Sequence, residues 1–209
     1  MTERKIALFG GTFDPIHLGH TEIAAAAAEH ICAEKVIFIP AKRSVLKPDL
    51  PVASSKDRLA MITLAIEGNK KFEVSNYELK KPGSSYTLET VRKFRADYGV
   101  DASIYFLVGA DSINELPGWY GIAELIEECN LSVMYRAGYE RPDFAKFEDL
   151  LGPGRIEKLK ENIIETPLID ISSSRIRSIL AAGGEATDML SPAVADYIRQ
   201  HNLYQAKTD

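Results

Sequence analysis

Ile6-Ala7-Leu8-Phe9-Gly10-Gly11-Thr12-Phe13-Asp14-Pro15-Ile16-His17-Leu18-Gly19-His20 is the stretch that decides the fold of this 209-residue chain. Its first four residues are apolar with no polar alternation, the pattern of a parallel strand covered on both faces. Gly10 and Gly11 end that strand. Asp14-Pro15 is turn chemistry, an Asx side chain able to bond the local backbone ahead of a fixed φ. A helix then starts near Gly19-His20 and continues through Glu22, Ile23 and the alanines at 24–28, small residues that suit close helix packing. The motif therefore sits on a strand-turn-helix joint. In an open α/β sheet such a joint lies at the carboxyl ends of the strands, and the helix start offers unpaired N–H groups and a positive dipole end to an anion. A phosphate-bearing substrate is the natural occupant.

Outward from the joint, strands and helices alternate. Apolar runs predict strands at 35–40, 72–74, 103–108, 131–135 and 163–165. Helices are predicted behind Ser54-Ser55, over 87–98 with Gly99 as the stop, over 122–128, from Ser172-Ser173-Ser174 to Gly183-Gly184, and over 192–201 behind Ser191-Pro192. This order predicts an α/β fold, a Rossmann-like doubly wound parallel sheet with a small helical C-terminal part, in one domain over residues 1–209. Residues 136–162, charged and broken by Pro142, Gly152, Pro153 and Gly154, read as a solvated excursion without chemical role.

The formal net charge of −5 argues against a broad nucleic-acid surface, so phosphate binding must come from a local cationic pocket. No apolar stretch approaches the ~20 residues that span a bilayer, and Met-Thr-Glu-Arg-Lys leads into a strand rather than a signal-peptide core. A cytoplasmic protein without membrane contact is expected. Cys32 and Cys129 are too few for a disulfide framework and read as reduced, partly buried small residues. His17 and His20 could share a helical face, but His30 and His201 are the only other histidines and no His-Glu-x-x-His run exists, so no metal site is expected.

Four elements, in this order, resemble bacterial nicotinate-nucleotide adenylyltransferases of the nucleotidyltransferase superfamily: Gly-Gly-Thr-Phe-Asp-Pro-x-His-x-Gly-His, Gly109-Ala110-Asp111-Ser112, Leu116-Pro117-Gly118-Trp119-Tyr120, and Ile171-Ser172-Ser173-Ser174-Arg175-Ile176-Arg177. The likeness runs from Ile6 to Tyr204. The resemblance implies transfer of AMP from ATP, with Mg2+, to the 5′-phosphate of nicotinate mononucleotide, giving deamido-NAD and pyrophosphate. An ionised phosphate attacking in line needs no protein nucleophile, so positioning and charge neutralisation suffice.

By the same resemblance, His17, His20 and Arg177 are the catalytic residues, with His20 the stronger candidate for charge developing at the α-phosphate. Gly10, Gly11, Thr12, Phe13, Gly19, Gly109, Asp111, Ile171, Ser172, Ser173 and Ser174 would bind ATP, and Gly19 would let the nucleotide approach the backbone closely. Asp111 is equally readable as a ribose ligand or as a helix N-cap. Ser172 to Ser174 would receive the outer phosphates, although an ordinary cap needs only one serine. Ser85, Tyr86, Thr87, Trp119, Tyr120 and Lys47 would hold the mononucleotide. Trp119 would stack on the pyridine ring, while a lone tryptophan is more often a core or rim residue.

One departure concerns the acceptor. Where the family usually shows Pro-Pro-His-Lys, this chain reads Ser44-Val45-Leu46-Lys47 and keeps only the lysine. An adenylyltransferase acting mainly on nicotinamide mononucleotide or another phosphorylated acceptor is therefore the alternative. A dinucleotide-binding dehydrogenase lacks support, since Gly-x-Gly-x-x-Gly is absent and the second strand ends in Pro40-Ala41-Lys42. An aminoacyl-tRNA synthetase fragment fits neither the short chain nor its acidic balance. A non-catalytic sensor would be expected to have lost His20 or Arg177. Homo-oligomer formation is left open by the sequence.

Overall fold

The computed structural model describes residues 3–42 and 50–206. Six strands form one sheet: β1 (Arg4–Gly11), β2 (Lys35–Pro40), β3 (Phe72–Val74), β4 (Ala102–Gly109), β5 (Asn130–Arg136) and β6 (Ile163–Thr166). Their order is β3-β2-β1-β4-β5-β6, and every neighbouring pair is parallel. The helices are α1 (Leu18–His30), α2 (Ser55–Ile66), α3 (Tyr77–Lys80), α4 (Thr87–Tyr98), α5 (Ile122–Glu128), α6 (Glu148–Leu151), α7 (Pro153–Glu161), α8 (Ser173–Ala181) and α9 (Pro192–Gln200). The expected doubly wound parallel sheet is the observed one.

β1 shows why its sequence lacks polar residues. Ile6 and Leu8 enter a core with α4, α5 and α7, whereas Ala7 and Phe9 enter a second core with α1, α2, α8 and α9. Both faces are thus covered, as parallel sheets require. In α1, Ala24, Ala27 and Ala28 are buried, and their small side chains let the helix lie close to the sheet. The strand order reverses between β1 and β4, which makes the carboxyl ends of those two strands the topological switch point where ligands bind in such sheets.

Three expectations need correction. Residues 136–162 are not a solvated excursion: Phe144, Phe147, Leu151, Ile156 and Leu159 are buried in the core beside β4 and β5, and α6 and α7 lie within this segment. Its apolar residues do recur at three- and four-residue spacing, but Gly152, with φ 75°, and Pro153 at the start of α7 divide the pattern into two short turns. Cys32 is exposed, not partly buried, because it takes the positive φ of 54° that turns the chain out of α1; Cys129 is buried. The Asp14 side chain bonds no local backbone; its partners lie far along the chain, as described below.

Candidate active site

The carboxyl end of β1 is shaped by aromatic rings lying over its glycines. A Cβ at Gly10 would stand 2.8 Å from Phe106 Cζ, and one at Gly11 would stand 2.8 Å from Phe13 Cζ. Phe13 itself has φ 50° and is buried, edge-on to Phe9 and to His20 with ring centroids 5.5 and 5.0 Å away. His20 also stacks on His17, centroids 3.7 Å apart. Its ring is therefore held between Phe13 and His17.

The hydrogen bonding fixes the chemistry of these rings. The His17 backbone N–H donates to His20 Nδ1 over 3.3 Å. That bond engages the Nδ1 lone pair, so Nε2 is the ring nitrogen that carries the N–H. His17 is 7% exposed, and burial pushes its imidazole down to about 4. It is neutral at pH 7. Its Nδ1 has no hydrogen-bond partner among the described residues.

The glycine at position 19 has closer neighbours than a nucleotide. A Cβ there would meet the His17 ring at 3.1 Å and Ile169 at 3.3 Å, so Gly19 first of all makes room for His17. The first amide of α1 is also engaged, since Leu18 N–H donates to the Met189 carbonyl at 3.0 Å.

The second helix start is joined to this loop directly. Ser172 caps α8 by accepting from Arg175 N–H at 3.2 Å. Ser173 donates to the Pro15 carbonyl at 2.9 Å, and Arg177 Nη1 donates to the Asp14 carbonyl at 2.7 Å. Ser174 Oγ lies 3.4 Å from Arg177 Nη2. One serine is thus the cap, one fastens α8 to the opening loop, and one steadies Arg177. The guanidinium carries five donors, so it retains hydrogen-bonding capacity for an anion.

Asp111 is not a helix N-cap. It lies inside the 3₁₀ turn Ala110–Gly118, and its carboxylate occupies the space a side chain at Gly109 would need. The exposed carboxylate stands at the end of β4, across the switch point from Gly11.

The elements expected to hold the acceptor also meet. Tyr86 immediately precedes α4, and its ring lies 4.8 Å from that of the exposed Tyr120. Gly121 packs so closely on Leu88 that a Cβ would stand 2.5 Å from its Cδ2. Trp119 is half-buried and edge-on to Phe106, centroids 6.4 Å apart. Phe106 therefore touches both Gly10 and Trp119, linking the two halves of the site. The indole Nε1 of Trp119 is buried without a hydrogen-bond partner among the described residues, and the buried Ser85 hydroxyl lies beside the Glu78 carboxyl. Behind them, Thr90 donates to buried Glu78 at 2.7 Å, and burial pushes the Glu78 carboxyl above its ordinary range. Lys47, with Arg43 and the Ser44-Val45-Leu46 departure, lies outside the described residues. Ile171, just before α8, packs at the edge of the core that holds α1.

Residues 8–179 match the family model described as cytidylyltransferase-like. The chain belongs to that family. Within it, the chain falls among the nicotinate-nucleotide adenylyltransferases. A protein of Dehalococcoides mccartyi (strain ATCC BAA-2266 / KCTC 15142 / 195) named "Probable nicotinate-nucleotide adenylyltransferase" is 35% identical over 98% of this chain and 98% of its own. One of the same name from Neisseria meningitidis serogroup C is 38% identical over 97% of this chain and 99% of its own. Among solved structures, the nicotinic acid mononucleotide adenylyltransferase of Plasmodium falciparum, complexed with NaAD, superposes with a TM-score of 0.73 at 18% identity. That alignment covers 96% of this chain and 97% of the other, and it is a likeness of fold. No helix among the described residues of this family member is long and apolar enough to cross a membrane.

Sequence reasoning missed Arg58, Tyr204 and the true role of Asp14. Arg58 is 1% exposed and donates from Nη1 to the Thr12 carbonyl at 2.6 Å. Asp14 is 4% exposed and accepts from Val52 N–H at 2.7 Å, Ala53 N–H at 3.0 Å and Tyr204 Oη at 2.7 Å. The one available signal was an arginine at position 58 among core residues of α2, between Ala53 and Met61.

Proposed function

We propose that the chain transfers AMP from ATP to the 5′-phosphate of nicotinate mononucleotide, giving deamido-NAD and pyrophosphate in NAD biosynthesis. The observation that supports it most is the junction of two helix starts at the switch point, with His17, His20, Ser173 and Arg177 tied to one loop. A mononucleotide phosphate oxygen bonds to the α-phosphorus as the bond to the bridging oxygen of the β-phosphate breaks. Pyrophosphate leaves with that electron pair, and no protein atom becomes covalently attached.

In this reading His20 donates from Nε2 to an α-phosphate oxygen as negative charge gathers there. His17, neutral through burial, supplies shape and a hydrogen bond instead of charge. The fixed positive charge comes from Arg177, with the start of α8 adding its dipole end. Gly10 to Phe13, Gly19, Gly109, Asp111 and Ile171 to Ser174 form the ATP side, with Asp111 accepting from ribose hydroxyls. A divalent cation, Mg2+, would enter with the triphosphate as part of the nucleotide substrate. Bound there it offsets phosphate charge.

Ser85, Tyr86, Thr87, Trp119, Tyr120 and Lys47 form the acceptor side. The unpartnered Trp119 N–H suits a polar ligand, because buried polar groups rarely lack partners. The protein acts in the cytoplasm on this reading, as an enzyme of small-molecule metabolism. A pyrophosphate-release assay with ATP and either nicotinate or nicotinamide mononucleotide tests it. Release with nicotinate mononucleotide is expected, and none with that acceptor refutes the assignment.

A further inference from the structure

Two distant parts of the chain converge on one buried carboxylate just ahead of the paired histidines. Asp14 Oδ2 takes the Val52 N–H; Oδ1 takes the Ala53 N–H and the Tyr204 hydroxyl. The phenol is 190 residues away in sequence. On the other side of the same turn, the Arg58 guanidinium holds the Thr12 carbonyl and Arg177 holds the Asp14 carbonyl. Burial pulls the Arg58 guanidinium below its ordinary range, and the Asp14 carboxylate is the foremost opposing influence.

Tyr204 is built into this arrangement at a conformational cost. It is 7% exposed and adopts φ 62°, a left-handed conformation that is unfavourable for a non-glycine residue and persists only where surroundings over-determine it. Its ring lies in the core shared with Phe13, Ile16 and α9, and its hydroxyl lies beside the charged Asp14. Burial and the neighbouring carboxylate push its ionisation upward, so it stays a donor throughout the working pH range. Tyr204, Arg58 and the Asp14 side chain are not among the groups assigned to the reacting phosphates. They bound the turn of residues 12–14 from which His17 and His20 project.

We infer that Tyr204, acting through Asp14, is a positioning residue for the His17–His20 pair, with Arg58 bracing the same turn from the Thr12 side. The consequence for rate rests on the proposed adenylyl transfer; the consequence for the histidine rings does not. Removing the phenol hydroxyl leaves Asp14 Oδ1 with one donor and loosens the turn, and misplacement of about 1 Å at a reacting group costs up to a hundredfold in rate.

The test uses the full chain carrying Tyr204→Phe, Asp14→Ala, or both, with folded fraction measured by urea titration. Tyr204→Phe keeps the ring in the core and deletes only the donor. Expected are a fall in kcat of about tenfold, an ATP KM within about twofold, and altered 15N and 1H ring resonances of His17 and His20. The effects of the two substitutions on kcat should be less than additive, because both break one bond. A folded Tyr204→Phe protein with wild-type kcat and unmoved histidine resonances overturns the inference, as does a loss explained by the unfolded fraction alone. If the wild-type chain releases no pyrophosphate, the functional reading falls, and the histidine resonances decide the positioning role by themselves.

Discussion

Lowering the pH should expose the cost of keeping His17 neutral. Its imidazole stands at about 4 in the folded protein, against the ordinary 6.5 of an exposed histidine. Above pH 6.5 both folded and unfolded chains hold it neutral, and it contributes nothing to pH dependence. As the pH falls below that value the unfolded chain takes up a proton that the folded chain refuses, so stability is lost progressively until the folded value is passed. At about 1.4 kcal/mol per pH unit, the full loss is about 3 kcal/mol, and about 2 kcal/mol of it is already present at pH 5. The perturbation is His17→Gln, which cannot titrate. Urea unfolding without nucleotide, at pH 7.5 and pH 5, gives the free-energy difference between wild type and variant at each pH. Asp57 and Glu128, which hydrogen bonds hold below the usual carboxylate range, lose stability on acidification in both proteins and cancel. Wild type should weaken relative to the variant by about 2 kcal/mol on going to pH 5. An unchanged difference would mean that His17 titrates as an exposed histidine does, and the account of a neutral ring in the site would fail.

Other perturbations probe the rest of the fold and site. His20→Ala should lower pyrophosphate release by orders of magnitude with little change in urea midpoint; near-normal turnover removes it from its role. Ser173→Ala breaks the bond to the Pro15 carbonyl and should raise the KM for ATP severalfold while circular dichroism stays unchanged. Gly11→Ala sets a Cβ against the Phe13 ring and should cost about 1–3 kcal/mol in urea unfolding. Phe144→Ala empties a fully buried position and should cost about 3–5 kcal/mol, whereas a residue in a solvated loop would cost almost nothing.

The parts of the molecule that were legible in the sequence are those specified locally. The Ile6-to-Phe9 run states burial on both faces, and Ser54, Ser172 and Ser191 cap the helices they were read to cap because an N-cap bond spans only three residues. Gly10 and Gly11 marked the end of the first strand for the same reason. What escaped was set by distance along the chain. Asp14 finds its partners 38 to 190 residues away, and no periodicity encodes that. Arg58 stands one turn from Met61 and Ile62 on α2, yet its partner, the Thr12 carbonyl, is 46 residues away. In residues 136–162 the apolar spacing was present, but Gly and Pro punctuation between two short helices outweighed it.

Phe106 has a bearing on how this site can vary over evolution. Its ring fills the space that a side chain at position 10 would occupy, and it supports the edge of Trp119 on the other side. Positions 10, 106 and 119 consequently form a steric chain in which no member drifts alone. A larger residue at 10 demands a smaller one at 106, and a smaller one at 106 leaves the indole without its backing. Exchange of the indole during divergence therefore requires an accompanying change at position 106 or 10, so the ends of β1 and β4 vary together with the turn that carries Trp119.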